Sequence, residues 1–130
     1  MSNNFNIDIV NPEKSFLSKN DVFEVVIPAV EGEIGILKDH ISIISFLKPG
    51  IIKVYSDTEE QNFYVEDGIV EFKDNTLSVL TSSIFDLKDA DKNFVSESIS
   101  SAEAELSKND IDDQKMFLLN HKVEILKSIN

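Results

Sequence analysis

The chain has 130 residues, with 12 Lys, no Arg, no Cys and 24 Asp or Glu, and its formal net charge is −12. This length suits one compact domain or a small domain with an appendage, and an apolar content of 42% is too high for a disordered acidic chain. Without Cys, disulfides, thiolate catalysis and Cys-ligated zinc are excluded. Such an acidic surface repels nucleic acids and anionic lipids, so neither is expected as a direct partner. The sequence has no long apolar run, and its start, MSNNFNIDIV, has no basic segment before an apolar one. It therefore predicts neither a membrane-spanning helix nor a secretory leader.

The first 86 residues predict about ten short strands. Phe5, Ile7 and Ile9 alternate with polar residues, which is typical of a half-buried strand. Further candidate strands are Ser15–Lys19, Val22–Ile27, Glu33–Leu37, Ile41–Leu47, Ile51–Tyr55, Gln61–Glu66, Ile69–Lys73, Thr76–Thr81 and Ser83–Asp86. Short strands at regular spacing, separated by Gly, Pro and Asn, favour an antiparallel β-sandwich or barrel.

Two of the connections have the composition of defined turns. Pro49-Gly50 fits the central pair of a type II turn, in which Gly takes the positive φ. Asp74-Asn75 suits a tight hairpin between the strands on either side of it.

From Leu87 onward the apolar spacing becomes helical. A first helix is predicted from a narrow apolar seam with spacings of 4, 3 and 4, formed by Val95, Ile99, Ala102 and Leu106. A second helix is predicted over Ile111–Ile129, with Asn109 or Asp110 as its N-cap. We therefore predict an α+β fold, with a β-sandwich domain in residues 1–86 and an antiparallel helical hairpin in residues 87–130.

Candidate catalytic groups are few. His40 and His121 lie in different regions without a second His at metal-ligand spacing, so no metal site is predicted. Glu31 and Glu33 could be an acid–base pair, as in glycosidases, or plain surface groups of an acidic loop. The sequence contains neither a Gly-x-Ser-x-Gly elbow nor a Gly-rich phosphate loop. It therefore predicts a non-catalytic interaction protein, without catalytic residues or a cofactor. An adaptor or ligand-binding module with an oligomerising hairpin, and a small hydrolase using Glu31, Glu33 and His40, remain as alternatives.

Two longer segments carry a resemblance to a known family. The segment from Pro28 to Gly50 reads PAVEGEIGILKDHISIISFLKPG and resembles the signature EGE-x-GIL-x-x-H…L-x-PG of the epsilon subunit of F-type ATP synthases. A later segment, FYVEDGIVEFKDNTLSVLTSSIFD, is similar to that family's block F-x-V-x-GG-x-x-E-V-x-x-N-x-V-x-V-L-A. The opening FNIDIVNPEKSFLSKNDVFEVVIP also matches its first hairpins. The resemblance is close over residues 5–86, whereas the helical region matches mainly in layout.

The resemblance implies a non-catalytic rotor subunit of the central stalk. In this family the sandwich binds the gamma subunit and sits on the ring of c subunits, and so couples rotation of the ring to the catalytic head. In many members the hairpin extends toward the catalytic alpha and beta subunits and restrains ATP hydrolysis. The implied location is the cytoplasmic face of the bacterial inner membrane, reached only through the complex.

Five residues carry over to the loop that faces the c-ring. Glu31, Gly32 and Glu33 match the turn itself, and their acidic side chains would meet basic loops of the ring. His40 is expected to close the same loop, and Gly35 matches a Gly expected to permit a tight bend. The alternative is that the two glutamates only keep the loop soluble.

The chain departs from the family pattern at two places. Where the family often has Gly-Gly, it has Asp67-Gly68, so an Asp in the left-handed region is expected to replace the first Gly. Members that bind ATP on the hairpin carry Ile/Leu-Asp-x-x-Arg-Ala, whereas this chain has ADKNFV at residues 90–95. Because the Arg is missing, no nucleotide binding is predicted.

Overall fold

A computed structural model describes residues 3–13, 15–89, 91–108 and 110–129. Within these residues nine strands precede a short 3-10 turn (Leu87–Asp89) and two helices. The strands are β1 (Phe5–Val10), β2 (Ser15–Ala29), β3 (Gly32–Leu37), β4 (Ile43–Leu47), β5 (Gly50–Ser56), β6 (Glu60–Val65), β7 (Gly68–Lys73), β8 (Thr76–Leu80) and β9 (Ile84–Asp86). The helices are α1 (Lys92–Leu106) and α2 (Asp113–Ile129).

Strand β2 is one continuous strand of 15 residues, although the sequence predicts two separate strands there. The two polar residues between them, Asn20 and Asp21, include no Gly or Pro, so nothing in the backbone ends the strand. Its first half pairs with β1, and its second half pairs with β3 and β5. The register with β5 shifts between Val22 and Glu24, where the strand passes from one layer to the other. This merger accounts for nine described strands instead of the expected ten.

The strands form two layers around one apolar core. The first layer runs β1-β8-β7-β4, and the second contains β3, the second half of β2, β5, β6 and β9. In the described part of the chain the neighbouring strands pair antiparallel, except for β1 and β8, which are parallel. Inward side chains of both layers form the core, among them Phe5, Ile7, Ile9, Val25, Ile27, Ile52, Phe63, Val70, Phe72, Leu77 and Val79. The predicted β-sandwich is confirmed.

The two predicted turns have different outcomes. Asp74 and Asn75 have φ values of 52° and 54°, as a type I′ hairpin turn requires at both central positions, so that prediction is confirmed. The type II turn at Pro49-Gly50 is wrong, because Gly50 does not take a positive φ and instead begins β5. A Cβ on Gly50 would lie 2.6 Å from the Cβ of Pro28. The position therefore requires Gly because the Pro28 ring packs directly against the Gly50 backbone.

The first helix has an N-cap and packs through the seam that its sequence predicts. The Asp91 side chain accepts a hydrogen bond from the Asn93 backbone N–H at 2.8 Å, which satisfies one free donor of the first turn. Two members of the predicted seam, Val95 and Ala102, are buried, and Ile99 packs against the same cluster as Val95. The predicted inner face of α1 is confirmed.

The second helix begins two residues later than expected. Asp112 is its N-cap, since the Asp112 carboxylate accepts a hydrogen bond from the Lys115 backbone N–H at 2.7 Å. Of the two expected caps, Asp110 therefore does not serve as one, and Asn109 lies outside the described residues.

The two helices pack together on the outer face of the second layer. Val95 near the start of α1 and Leu126 near the end of α2 share one buried cluster with Tyr64 of β6, so the helices run antiparallel as predicted. Partly buried side chains around this cluster are Ile51, Phe85, Leu87, Ile99, Ile125 and Ile129. One outer face of the sandwich is thus covered by helices.

The close approach at Gly50 leads to a stability prediction. Gly50→Ala should lower the free energy of unfolding by about 1–3 kcal/mol, because the new methyl group overpacks against Pro28. Gly35→Ala is the matched control on β3, since the nearest atom to its added Cβ is Glu24 Oε2 at an ordinary 3.7 Å. Urea denaturation of both variants checks the difference, and equal stabilities would contradict the steric explanation.

Candidate functional site

Three of the five predicted site residues lie together at the turn between β2 and β3. Val30 and Glu31 form this turn, Gly32 begins β3 opposite Ala29, and Glu33 follows opposite Pro28 of β2. Gly32 has a φ of 136°, a conformation that L side chains rarely adopt. No other atom would lie within 4 Å of a Cβ on Gly32. The turn therefore requires Gly for its backbone angle, and space is not the reason.

The carboxylate of Glu31 is held in place by a residue that sequence reasoning missed. Ser45 on β4 is 5% exposed, and its hydroxyl donates to the two carboxylate oxygens of Glu31 at 2.6 and 3.0 Å. This hydrogen bond and the Glu31 backbone N–H lower the pKa of Glu31 below its ordinary 4.5, against a smaller opposing effect of desolvation. Glu31 is therefore a fixed negative charge at neutral pH. The sequence signal that could have pointed to this contact was the single Ser in the apolar segment Ile43–Leu47, at a position that faces inward.

The other two predicted site residues lie away from this turn. Gly35 is a regular residue in the middle of β3, paired with Val26, so the expected bend is not there. His40 follows the far end of β3, and a strand of six residues advances by about 3.3 Å per residue. His40 therefore lies at the opposite end of the sandwich from Glu31 and does not close the same loop.

The contacts of His40 tie down the loop between β3 and β4. Its Nδ1 lies 2.7 Å from the Ile41 carbonyl oxygen, and its ring meets Phe72 edge-on with centroids 6.0 Å apart. Next to it, Asp39 has a φ of 65° and exchanges two hydrogen bonds with Asn75, at 2.7 and 3.0 Å. These bonds fasten the loop to the β7–β8 turn.

The end of the sandwich that carries Glu31 is acidic. The β6–β7 turn lies there too, and Glu31, Glu33 and Asp67 are exposed. The expected left-handed Asp67 is wrong, because Gly68 alone takes the unusual backbone angle in this turn, with a φ of 154°. A Cβ on Gly68 would lie 2.6 Å from the Leu80 carbonyl oxygen. We call this region, defined by Glu31, Glu33 and Asp67, the acidic end.

An exposed apolar row crosses the outer face of the first layer. The strand registers place Phe46 opposite Ile69, Ile69 opposite Leu80, and Leu80 opposite Val10. These four side chains are 59%, 45%, 52% and 38% exposed in that order. Ile44, on the same strand as Phe46, is 70% exposed. We call Val10, Ile44, Phe46, Ile69 and Leu80 the apolar row.

The apolar row has the features of an interaction surface. Side chains on the other face of the same strands, such as Val70 and Val79, are buried in the core, so both faces of this layer are apolar. A shallow depression of about 470 Å³ lies along the row, with Glu71 and Ser78 at its border. Contiguous apolar patches with polar borders mark docking sites on soluble proteins. Sequence reasoning missed this face. The available signal was that β4 has apolar residues at inward and outward positions alike, a pattern typical of strands covered on both sides.

The arrangement does not support the hydrolase alternative. Glu31 is bonded to Ser45, and His40 lies at the other end of β3, so the three proposed groups do not meet at one point. Among the residues that the structure describes, no three His, Asp or Glu side chains could hold a metal ion. His121 stacks on Phe117 of α2, with ring centroids 6.3 Å apart.

Comparison with solved structures agrees with the observed fold. A chain in the cryo-EM structure of the Euglena gracilis mitochondrial ATP synthase matches with a TM-score of 0.76 at 18% identity, covering 98% of this chain and 79% of that chain. A chain in the central stalk and c-ring structure of the Tetrahymena thermophila mitochondrial ATP synthase matches with a TM-score of 0.68 at 15% identity, covering 95% and 93%. At these identities the likeness shows a shared fold. In the described residues no helix is long and apolar enough to cross a membrane.

Sequence comparison identifies the family. The family described as ATP synthase, Delta/Epsilon chain, beta-sandwich domain matches residues 4–87. The ATP synthase epsilon chain of Rhizobium rhizogenes is 34% identical over 107 residues, which are 82% of this chain and 78% of that relative. The ATP synthase epsilon chain of Pelagibacter ubique is 65% identical over 130 residues, the full length of both chains. This chain therefore belongs to the family of ATP synthase epsilon chains.

Proposed function

We propose that this chain works as a rotor subunit in the central stalk of an F-type ATP synthase, binding the gamma subunit and the c-ring and catalysing no step itself. The observation that carries this proposal is the apolar row on the outer face of the first layer. A subunit that transmits torque must be attached firmly, and burial of an apolar sheet face provides a firm attachment. The position at the cytoplasmic face of the bacterial inner membrane follows from the same proposal.

The apolar row is proposed as the contact with gamma. Its outward side chains lie on four neighbouring strands, and the core beneath them keeps the face rigid. Glu71 and Asp8 border the row on the same face. The chemistry that fits is an apolar partner surface with a basic border, because charges at the border of a protein interface select partners by complementarity.

The acidic end is proposed as the contact with the c-ring, and we assign it to Glu31, Gly32 and Glu33. The hydrogen bond from Ser45 to Glu31 sets the direction of one carboxylate in advance. Preorganised groups lose less conformational freedom when a partner binds. Gly35 and His40 are left out of this assignment because the structure separates them from the turn.

The helical region, residues 87–130, is proposed as a separate regulatory unit that contacts the catalytic alpha and beta subunits and restrains ATP hydrolysis. We propose that it does so without binding a nucleotide. Two residues of the segment that aligns with the family's ATP motif are already engaged, since Asp91 caps α1 and Phe94 packs edge-on against Phe85 with centroids 5.2 Å apart. Phe94 stands where ATP-binding members carry Arg, and an aromatic ring supplies no cation for phosphate.

The gamma contact predicts a large effect of substitutions in the apolar row. Ile69→Ser with Leu80→Ser should weaken binding of the free subunit to gamma by about 3 kcal/mol, or roughly a hundredfold in Kd, because two apolar side chains lose their burial. Phe23→Ser is the control, since Phe23 is 41% exposed but lies on the second layer beside Tyr55. Calorimetric titration with purified gamma checks this, and equal losses for both variants would contradict the assigned face.

The c-ring contact predicts loss of coupling when the charge at the acidic end is reversed. Glu33→Lys should leave thermal melting of the free subunit nearly unchanged, because exposed charges contribute about 0–1 kcal/mol to folding. Placed against basic loops, the new Lys should weaken the interface, since like charges there are repulsive by several kcal/mol. ATP-driven proton pumping by the reconstituted enzyme should therefore fall. Glu60→Lys, an exposed position at the other end of the sandwich, should pump normally, and a normally pumping Glu33→Lys enzyme would refute the contact.

The regulatory role predicts that the helical region is dispensable for assembly. A chain truncated after Leu87 should keep a folded sandwich, because its main core contains no residue of α1 or α2. ATP hydrolysis by the complex carrying it should rise several-fold, while proton pumping persists. Hydrolysis assays of the two complexes check this. Unchanged hydrolysis would argue against restraint by the helices, and an unfolded truncated chain would argue against the division at residues 86 and 87.

A further inference from the structure

An ion pair joins the helices to the sandwich. Lys122 Nζ on α2 lies 2.8 Å from Glu66 Oε1, in the turn that follows β6. The two side chains are only 21% and 34% exposed, so both charges are partly withdrawn from water. Of the ion pairs formed by described residues, this is the shortest and the one that links α1 or α2 to a strand layer or its turns. Its place at the edge of the helix contact distinguishes it from the exposed pairs between the helices.

A buried tyrosine lies beneath this pair. Tyr64 is 2% exposed, and among the described residues its hydroxyl makes no hydrogen bond of full geometry, although the Glu66 carboxylate lies near it. Burial, followed by the negative charge of Glu66, raises the pKa of Tyr64 above its ordinary value of 10.0. The Glu66 carboxylate thus stands between a buried hydroxyl and the Lys122 ammonium. Removing the cation from a partly buried carboxylate leaves its desolvation without the compensating attraction.

The apolar part of the contact has three fully buried members with partly buried side chains around them. The fully buried members of the cluster are Tyr64 from the sandwich and Val95 and Leu126 from the helices. The helices have 15 and 17 residues, and helices of about this length are marginal in water without tertiary packing. The helices therefore depend on this contact, and a change in its electrostatic part shifts the balance between docked and released helices.

We propose that Glu66 and Lys122 form a salt-sensitive latch over Tyr64 that sets how much of the time the helical pair rests on the sandwich. When the ion pair is lost, the Glu66 carboxylate remains above an apolar surface without a cation, and the docked state loses its advantage. High ionic strength acts in the same direction, because mobile ions screen the pair. This latch is a property of the free chain and stands independently of the proposed contacts with gamma and the c-ring.

Exposure of the Tyr64 ring in the full-length chain tests the latch. The chain has two tyrosines, so ¹³C-tyrosine labelling with a Tyr55→Phe reference spectrum assigns the Tyr64 signals. A neutral gadolinium chelate broadens these signals in proportion to the released fraction. Lys122→Glu should increase the broadening about tenfold, which corresponds to about 1.4 kcal/mol. For the wild type, an increase of several-fold is expected between low salt and about 0.5 M sodium chloride.

The reciprocal exchange separates electrostatics from simple loss of packing. Lys122→Glu combined with Glu66→Lys should restore protection of Tyr64 to within about twofold of the wild type. Lys115→Glu is the matched control on α2, because its 3.7 Å pair with Glu105 is exposed and joins only the two helices. This control should leave Tyr64 protected.

Lys122→Gln serves as a second variant if Lys122→Glu folds poorly, and it should give an intermediate broadening. Amide protection of the β7 and β8 strands reports on the sandwich separately. An unchanged Tyr64 signal in both Lys122 variants, or no recovery in the exchanged pair, would overturn the latch. Loss of β7 and β8 protection in both variants would also overturn it, because the ion pair would then support the sandwich and not the docking of the helices.

Discussion

The pairing of β2 with four other strands is the constraint on which the rest of the structure depends. One half of β2 pairs with β1, and the other half pairs with β3, β5 and, at Ala29, with β4. Because a single backbone belongs to both layers, their separation and relative register are fixed together. The same strand ends at the turn that contains Glu31 and leads to Gly32, so the core also fixes the position of the acidic end. Val25 and Ile27 of β2 are fully buried in the core between the layers, which fixes this strand in place.

The period of the apolar residues was enough to predict most strands and helices, because the period of each segment depends only on its own local backbone conformation. Alternation located the strands, and the 4-3-4 seam located α1, within a few residues of their observed ends. Non-local contacts were beyond this reasoning. The need for Gly50 arises from Pro28, 22 positions earlier, and Glu31 is held by Ser45 only because β4 folds back toward the β2–β3 turn.

The candidate site was predictable only where a motif is contiguous in sequence. Glu31, Gly32 and Glu33 adjoin one another, and the structure has them at the β2–β3 turn and the start of β3. His40 was misplaced because the resemblance put it in the same loop as Glu31, although the strand predicted between them, observed as β3 with six residues, carries the chain along the sandwich. The apolar row joins residues from β1, β4, β7 and β8, and these meet only through strand register. The continuous apolar run of β4 was a signal for one of these strands, but which strands lie beside it follows only from the register.

The two outer faces of the sandwich have different chemistry, and the difference suits different lifetimes of attachment. The row on the first layer offers apolar side chains with charges only at its border, so burying it gains hydrophobic free energy with little electrostatic penalty. The covered face of the second layer includes a partly buried ion pair and the buried hydroxyl of Tyr64, and their desolvation offsets part of the apolar gain. Such a contact is weaker and responds to salt. A permanent rotor attachment therefore fits the first face, whereas a reversible regulatory contact fits the second. Because the chain has a net charge of −12, a single Lys such as Lys122 has a larger effect on the electrostatic free energy of that second contact.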